Sequence, residues 1–279
     1  MREVTVATVQ FTPKLGEPEE NLVKMSEFVS KIASQQKVDL IVFPELATTG
    51  NELGVKFTEV AQRIPGPTVN LLSQRAAEYG VHIAFGMVSK ERVESIIFNS
   101  AVLVGPDGEL VGSYNKVHLR GEERMAFREG FKLPVFETET IGTVGLLLGY
   151  DLAFPEVARV LALEGAEIIC TMTNWESEQM DEYRHYIKAR AFENSVFMAA
   201  ANRVGEDVTL NFGGESSIIG PRGKTYASLA QEKNPETGKP SEGFSVARID
   251  LDEVRKFREE FQFLQSRQPT VYRTIVKKY

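Results

Sequence analysis

Two stretches of this chain recur 115 residues further on. Arg75-Ala76-Ala77-Glu78-Tyr79-Gly80-Val81 aligns with Arg190-Ala191-Phe192-Glu193-Asn194-Ser195-Val196, and the turn Gly105-Pro106-Asp107-Gly108 aligns with Gly220-Pro221-Arg222-Gly223. Two matches at a single offset indicate an internal repeat. A repeat of this length restricts the fold to one that sets two similar halves against each other.

The order of elements in each half says what those halves are. In the first, apolar runs and helical periodicity predict a strand at Val4–Gln10, a helix at Pro18–Ser34 and a buried strand at Val38–Phe43. A helix at Pro67–Tyr79 and a strand at His82–Val88 follow, then a hairpin of Phe98–Val104 with Glu109–Tyr114 around the Gly-Pro-Asp-Gly turn. The second half repeats this order. It has a strand at Val144–Leu148, a helix at Pro155–Glu164, a strand at Glu167–Met172, a helix at Met180–Asn194 and a strand at Val196–Ala200. Its hairpin joins Glu215–Ile219 to Lys224–Ser228. Each half is an α/β unit with helices on one face of its sheet, so the bare faces must bury each other. The expected architecture is a four-layer α-β-β-α sandwich. No Pro/Gly/Ser-rich linker separates Lys116 from Thr143, so residues 1–279 are expected to form one domain. A polar loop at Gln231–Ser241, a strand at Phe244–Ile249 and a helix over Leu251–Phe257 follow. A tail at 257–279 carries Phe261, Phe263, Leu264, Val271, Tyr272 and Ile275, which is too apolar to lie free and should pack on the body or on a partner subunit.

Charge and composition narrow the function. The net charge of −7 disfavours a nucleic-acid partner, which selects for a basic face. No apolar run reaches the roughly 18 residues that span a bilayer, and the N-terminal residues read as strand rather than signal peptide, so a cytoplasmic location is expected. Cys170 is the single cysteine and has no internal disulfide partner. Three scattered histidines and one cysteine make no metal-ligand spacing. No Walker loop or Gly-x-Gly-x-x-Gly follows a strand, so neither metal nor cofactor is expected.

The chemistry-bearing stretch is Gly145-Leu146-Leu147-Leu148-Gly149-Tyr150-Asp151-Leu152-Ala153-Phe154-Pro155-Glu156. It reads as strand, sharp turn and helix, the elbow on which many α/β hydrolytic enzymes present a nucleophile. Gly149 holds the elbow position and has no side chain. Three charged residues stand out by place. Glu45 ends the apolar run Leu40–Pro44, and the C-terminal ends of buried parallel strands tend to face sites. Lys116 follows the hairpin in Tyr114-Asn115-Lys116-Val117-His118-Leu119. Glu123 lies in the charged segment Arg120–Arg124. Read singly, each suits a solvated or edge role as well as a site. Cys170 lies in the apolar strand Ile168–Met172 and reads as structural. His82 and His185 read as structural or surface residues.

Taken together, Pro44-Glu45, Asn115-Lys116-Val117-His118-Leu119 and Gly149-Tyr150-Asp151-x-x-Phe154-Pro155-Glu156 resemble the nitrilase superfamily of carbon–nitrogen hydrolases. Arg190-Ala191-Phe192-Glu193-Asn194, Asn202-Arg203-Val204-Gly205 and Phe212-x-Gly214-x-Ser216 running to Pro221-x-Gly223 extend the resemblance in order over roughly residues 4 to 275. It implies the same α-β-β-α fold and a Glu–Lys–Cys triad that hydrolyses amides or nitriles through a thioester. By this resemblance Glu45 is the general base, Lys116 the cation that stabilises the oxyanion, and Tyr150 the backbone N–H donor beside it. Glu123 is the second glutamate, which positions substrate. His118, Asn174, Trp175 and Tyr183 are candidate pocket residues. The resemblance also implies a homodimer or higher homo-oligomer, with Leu152–Leu163 and the tail as a candidate surface, and no cofactor.

The departure from the family pattern is at Gly149, where the family carries its cysteine. Without a nucleophile the thioester route is closed, and the resemblance implies a small non-peptide amide as substrate of a form that is impaired or inactive. Three explanations stay open. The glycine was introduced by engineering; the chain is a natural pseudoenzyme that binds a ligand or scaffolds; or Glu45 and Lys116 activate water directly. A nitrile is the alternative substrate. An arginine four residues after the nucleophile, which many carboxylate-binding members carry, is replaced by Ala153, which points to a neutral or weakly polar substrate. Arg203 and Arg184 are the candidate partners if the substrate is acidic.

Overall fold

The computed structural model describes residues 1–91, 96–230 and 232–277. Gln231, at the head of the polar loop, and Lys278 and Tyr279, at the end of the tail, lie outside the described residues.

The elements run β1 (Glu3–Gln10), α1 (Pro18–Gln35), β2 (Leu40–Val42), α2 (Phe57–Val60), α3 (Pro67–Tyr79), β3 (His82–Lys90), β4 (Ile97–Val104), β5 (Leu110–Asn115), α4 (Glu123–Ala126) and β6 (Val135–Glu137). They continue with β7 (Thr143–Leu148), α5 (Pro155–Leu163), β8 (Ile168–Thr173), α6 (Met180–Asn194), β9 (Phe197–Asn202), β10 (Val204–Glu206), β11 (Asn211–Gly213), β12 (Ser217–Ile219), β13 (Thr225–Ser228), β14 (Gly243–Asp250) and α7 (Asp252–Phe261). The main strands form two six-stranded sheets, ordered β14-β1-β2-β3-β4-β5 and β13-β12-β9-β8-β7-β6. In each, parallel strands lie at the centre and antiparallel strands flank them.

The repeat is visible in detail. α3 ends on Gly80 and α6 on Ser195, both in the left-handed region, at φ 62° and 48°. Glycine adopts this conformation without cost and serine does not, so the second half keeps the geometry of the first at some strain. Both hairpins carry a register irregularity at the matching place, between Leu103 and Val104 in one and between Ile218 and Ile219 in the other.

Alternation along the strands builds the layers. Val4, Val6, Leu40, Val42, Ala84 and Leu103 of the first sheet meet Val144, Leu146, Leu148, Ile168, Met172 and Ala199 of the second in one buried cluster. The opposite faces bury helices. Ala7, Val9, Ile41 and Ile83 pack under Leu22, Met25, Val29 and Ile32 of α1 and Val69, Leu72 and Ala76 of α3. Leu147, Ile169, Met198 and Ala200 pack under α5 and α6. The layers are therefore α-β-β-α, as expected. Each fully buried aliphatic side chain contributes about 1.5–3 kcal/mol relative to exposure.

Several details differ from the sequence reading. The helix expected at Leu251–Phe257 extends to Phe261, β6 and the β10–β11 hairpin were not anticipated, and the sharp turn at the elbow is a 3₁₀ segment over Gly149–Ala153. Glu123 is not in a loop but opens the four-residue helix α4. The tail packs in part on its own body. Phe263 lies 5.9 Å from Phe192 of α6 by ring centroid, whereas Val271, Ile275 and Val276 remain exposed.

Candidate active site

Glu45 follows β2, and the chain there keeps pairing with β3: Phe43 N–H donates to Ala84 O, and Ala47 N–H to Gly86 O. The approach is close enough that a Cβ at Gly86 would stand 2.7 Å from the Glu45 Cα, so this position requires glycine. The next residue, Leu46, has φ 45°, an unfavourable conformation for a non-glycine residue that sets the turn behind Glu45. Lys116 leaves the end of β5. Its N–H donates to Asn99 O and its carbonyl accepts from Gly130 N–H.

The structure brings Glu45, Lys116, Glu123 and Gly149 together. Lys116 Nζ donates to Glu45 Oε1 at 2.8 Å and to both Glu123 oxygens at 2.8 and 2.9 Å. Asn99 Nδ2 bridges the same two carboxylates, at 2.8 Å from Glu45 and 3.0 Å from Glu123. Lys116 and Glu45 are both buried. Burial works against the Lys116 charge, but two adjacent carboxylates more than offset it and hold its pKa above the usual lysine value. Glu45 moves the other way from a simple ion pair. Burial, reinforced by the charge of Glu123, outweighs the pull of Lys116 and Asn99 and raises its pKa. One ammonium shared between two carboxylates keeps itself charged more firmly than it keeps Glu45 charged.

Gly149 lies under this group with φ 41°. A Cβ built there would stand 2.8 Å from Glu45 Oε1 and 2.9 Å from Cδ, and closer still to Oε2. These residues form the floor of a cleft of about 330 Å³ whose walls include Tyr150, Asn174, Trp175 and Arg120. The Tyr150 N–H opens the 3₁₀ segment, where the first N–H groups have no intrahelical acceptor. Asn174 is held to Asn51 at 3.2 Å, and the Trp175 indole donates to Gln179 O at 2.9 Å.

Two expected pocket residues stand elsewhere. Tyr183 is buried behind Trp175, 6.0 Å away by ring centroid, and does not line the cleft. His118 neither lines the cleft nor touches Lys116. Its ring stacks on Phe154 at 3.6 Å, and its Nδ1 lies 2.8 Å from Asp151 Oδ1. The candidate anion partners are also absent from the cleft. Arg203 is wholly buried in a two-pronged pair with Asp207, both bonds 2.9 Å, and Arg184 pairs with Glu215 and Asp181 on the surface. The arginine at the cleft is Arg120, which donates to Gln179 at 2.8 Å and was not singled out from sequence.

Three further residues were missed. Asn99 is one; a polar side chain within the apolar strand Ile97–Val104 was an available signal. Asp151 is fully buried and accepts from Tyr114 OH at 2.6 Å and from His118 N–H at 2.9 Å. Glu52 accepts from Thr209 N–H, Thr209 OH and Leu210 N–H; these bonds outweigh its burial and lower its pKa. Cys170 points into the inter-sheet core, and burial pushes its thiol well up, so it is no substitute nucleophile. The His82 ring is largely buried, which lowers its pKa, and His185 is exposed. Among the described residues no cluster of His, Cys, Asp and Glu has the arrangement of a metal site, and no helix is long and apolar enough to cross a membrane.

The arrangement can hold a carbonyl oxygen at a buried ammonium with a carboxylate base beside it. Comparison with known proteins agrees on the class. The family described as carbon-nitrogen hydrolase matches residues 5–259, and the chain belongs to it. The chain is 41% identical over 278 residues to a probable nitrilase of Schizosaccharomyces pombe, covering 98% of this chain and 99% of that one. It is 38% identical to a nitrilase of Pyrococcus abyssi, covering 91% and 93% respectively. Among solved structures it is similar to a mutant of the amidase from Nesterenkonia sp. AN1 in which the acetamide moiety of fluoroacetamide is covalently added at the active-site cysteine. There the TM-score is 0.82 and the identity 25%, over 97% of this chain and 96% of that one.

Proposed function

We propose that the cleft binds a small non-peptide amide and hydrolyses it with release of ammonia, and that Gly149 impairs this turnover by closing the covalent route. The observation that carries the reading is the Lys116 ammonium, bonded to Glu45 and Glu123 in the cleft that Gly149 also lines. In this reading Lys116 and the Tyr150 N–H receive the carbonyl oxygen as it gains charge. Fixed donors at a developing oxyanion lower a barrier by about 3–4 kcal/mol each. Glu45 is the base, Glu123 holds Lys116 and the substrate in register, and Asn174 and Trp175 shape the wall.

The test is ammonia release from a panel of small amides, run on the chain as it stands and on Gly149→Cys. The cysteine variant is expected to be faster, with the Glu45 carboxylate displaced to make room. No release from either form, together with no binding of any panel member by calorimetry, would sink the reading and favour a scaffolding role. The relatives' names divide between nitrilase and amidase, so nitriles belong in the same panel.

The remaining parts of the reading are that residues 1–279 fold as one unit, that the protein is cytoplasmic, and that two copies meet through α5, α6 and the tail. Val160, Leu163, Phe192 and Phe263 supply exposed apolar surface there. Light scattering that returns a monomer would remove the last of these.

A further inference from the structure

The two oxygens of Glu45 are used differently. Oε1 accepts from both Lys116 and Asn99 at 2.8 Å. Among the described residues Oε2 accepts no hydrogen bond, and it leans over Gly149 into the space that the Cβ of any other residue would fill. The glycine does more than omit a nucleophile. It admits a carboxylate to the nucleophile's place, one hydrogen bond away from the ammonium that would hold an oxyanion. Resting on the reading above, we propose that Glu45 Oε2 in this chain is the general base for direct attack of water on the substrate's acyl carbon, so that hydrolysis proceeds with no acyl-enzyme.

In the first step the water oxygen bonds to the acyl carbon and its proton passes to Oε2. The carbonyl π pair moves onto oxygen, beside Lys116 Nζ. The C–N bond then breaks, its electron pair leaves with nitrogen, and nitrogen takes the proton from Glu45. The products are a carboxylic acid and ammonia, and the carboxylate is restored. Attack by Oε2 itself would give a tetrahedral adduct from which the carboxylate leaves far more readily than the amide nitrogen, so the adduct reverts before an anhydride forms. Burial among apolar and carboxylate neighbours strengthens Glu45 as a base.

Hydrolysis without an acyl-enzyme leaves a mark on leaving-group dependence. Where deacylation of a shared acyl-enzyme limits both, an amide and a thioester of one acyl group converge on one rate. Without it, each substrate keeps its own rate. The nitrogen of an amide must be protonated to leave, whereas a thiol with a pKa of about 8.5 leaves as thiolate unaided. This site is therefore expected to hydrolyse thioesters faster than the matched amides.

The experiment takes the small amides that bind by calorimetry and the N-acetylcysteamine thioesters of the same acyl groups. Thiol and ammonia release are measured for the chain as it stands, for Glu45→Gln and for Gly149→Ala. A positioned base contributes about 10²–10⁴-fold, so Glu45→Gln should lower thioester turnover by about 100-fold or more. Gly149→Ala, whose Cβ displaces Oε2 without altering Glu45, should lower it as well, with binding of the amide retained. One turnover in H₂¹⁸O should label the product and leave the Glu45 peptide unlabelled. Label in Glu45, an acyl adduct in the intact mass, equal rates for amide and thioester, or thioester hydrolysis indifferent to Glu45→Gln would each overturn the proposal. Amides that bind and turn over through such an adduct would leave the amide reading standing, whereas failure of every amide to bind removes both.

Discussion

Tyr114 donates its hydroxyl to Asp151 Oδ2 over 2.6 Å, and this bond joins the two sheets beside the cleft. Tyr114 stands two residues before Lys116 on β5, and Asp151 two residues after Gly149 on the elbow. The same hydroxyl accepts from Val117 N–H at 3.2 Å, and Asp151 holds His118 through backbone and ring. The strand that delivers the lysine and the turn that delivers the glycine are thus fixed to each other by one buried carboxylate. Burial and the Asp151 charge keep the Tyr114 phenol protonated.

Tyr114→Phe tests this clasp. Removing a bond to a charged group costs about 1.5–3 kcal/mol, and urea unfolding should read a loss in that range. If the clasp also sets the spacing of Lys116 and Gly149, turnover falls more than amide binding does. Unchanged stability would show that the bond contributes nothing.

Lys116→Met leaves the buried Glu45 and the half-buried Glu123 without their cation. Breaking a buried ion pair from one side costs about 3–5 kcal/mol, so a loss of that order is expected at neutral pH. Part of it should return in acid, where the carboxylates protonate. A pH-independent loss would contradict the electrostatic origin.

The raised pKa of Glu45 fixes two signs. In its proposed role as base it works only when ionised, so the acid limb of the pH–rate profile should lie above the usual glutamate range. For stability, folding favours its protonated form. The resulting contribution is present below the unfolded pKa and is lost as pH rises through the folded one. Glu45→Gln, which mimics the neutral form, should therefore gain in Tm relative to the parent between acid and neutral pH. A constant difference would argue against the shift.

Arg203→Leu strands Asp207, which otherwise meets the guanidinium at two bonds of 2.9 Å and also accepts from Asn51 N–H. About 3–5 kcal/mol of stability should go with it, measured by urea unfolding.

Local signals made most of the fold legible. Apolar periodicity placed α3 at Pro67–Tyr79 and α6 at Met180–Asn194, where they stand, and Pro155 opens α5 as expected. The parts that were not legible depend on distant partners. β6 is three residues long and exists by pairing with β7, and the β10–β11 hairpin sets the loop that grips Glu52. Glu45, Lys116 and Glu123 could be picked out by position, but what joins them is Asn99, whose two bonds span 54 and 24 residues of sequence. Arg203 looked available because its charge is visible in the sequence and its burial is not.

The pairing of β1 with β14 runs from Glu3 opposite Asp250 to Gln10 opposite Gly243. A ribosome adding about 5–20 residues per second finishes β1 roughly 10–50 s before it releases β14. For that interval the first sheet presents an open, apolar strand edge, the kind of surface that recruits other nascent chains. Synthesis of this protein therefore has a vulnerable window whose length is set by translation speed, and yield in a cell should respond to chaperone supply during elongation more than to the stability of the finished fold.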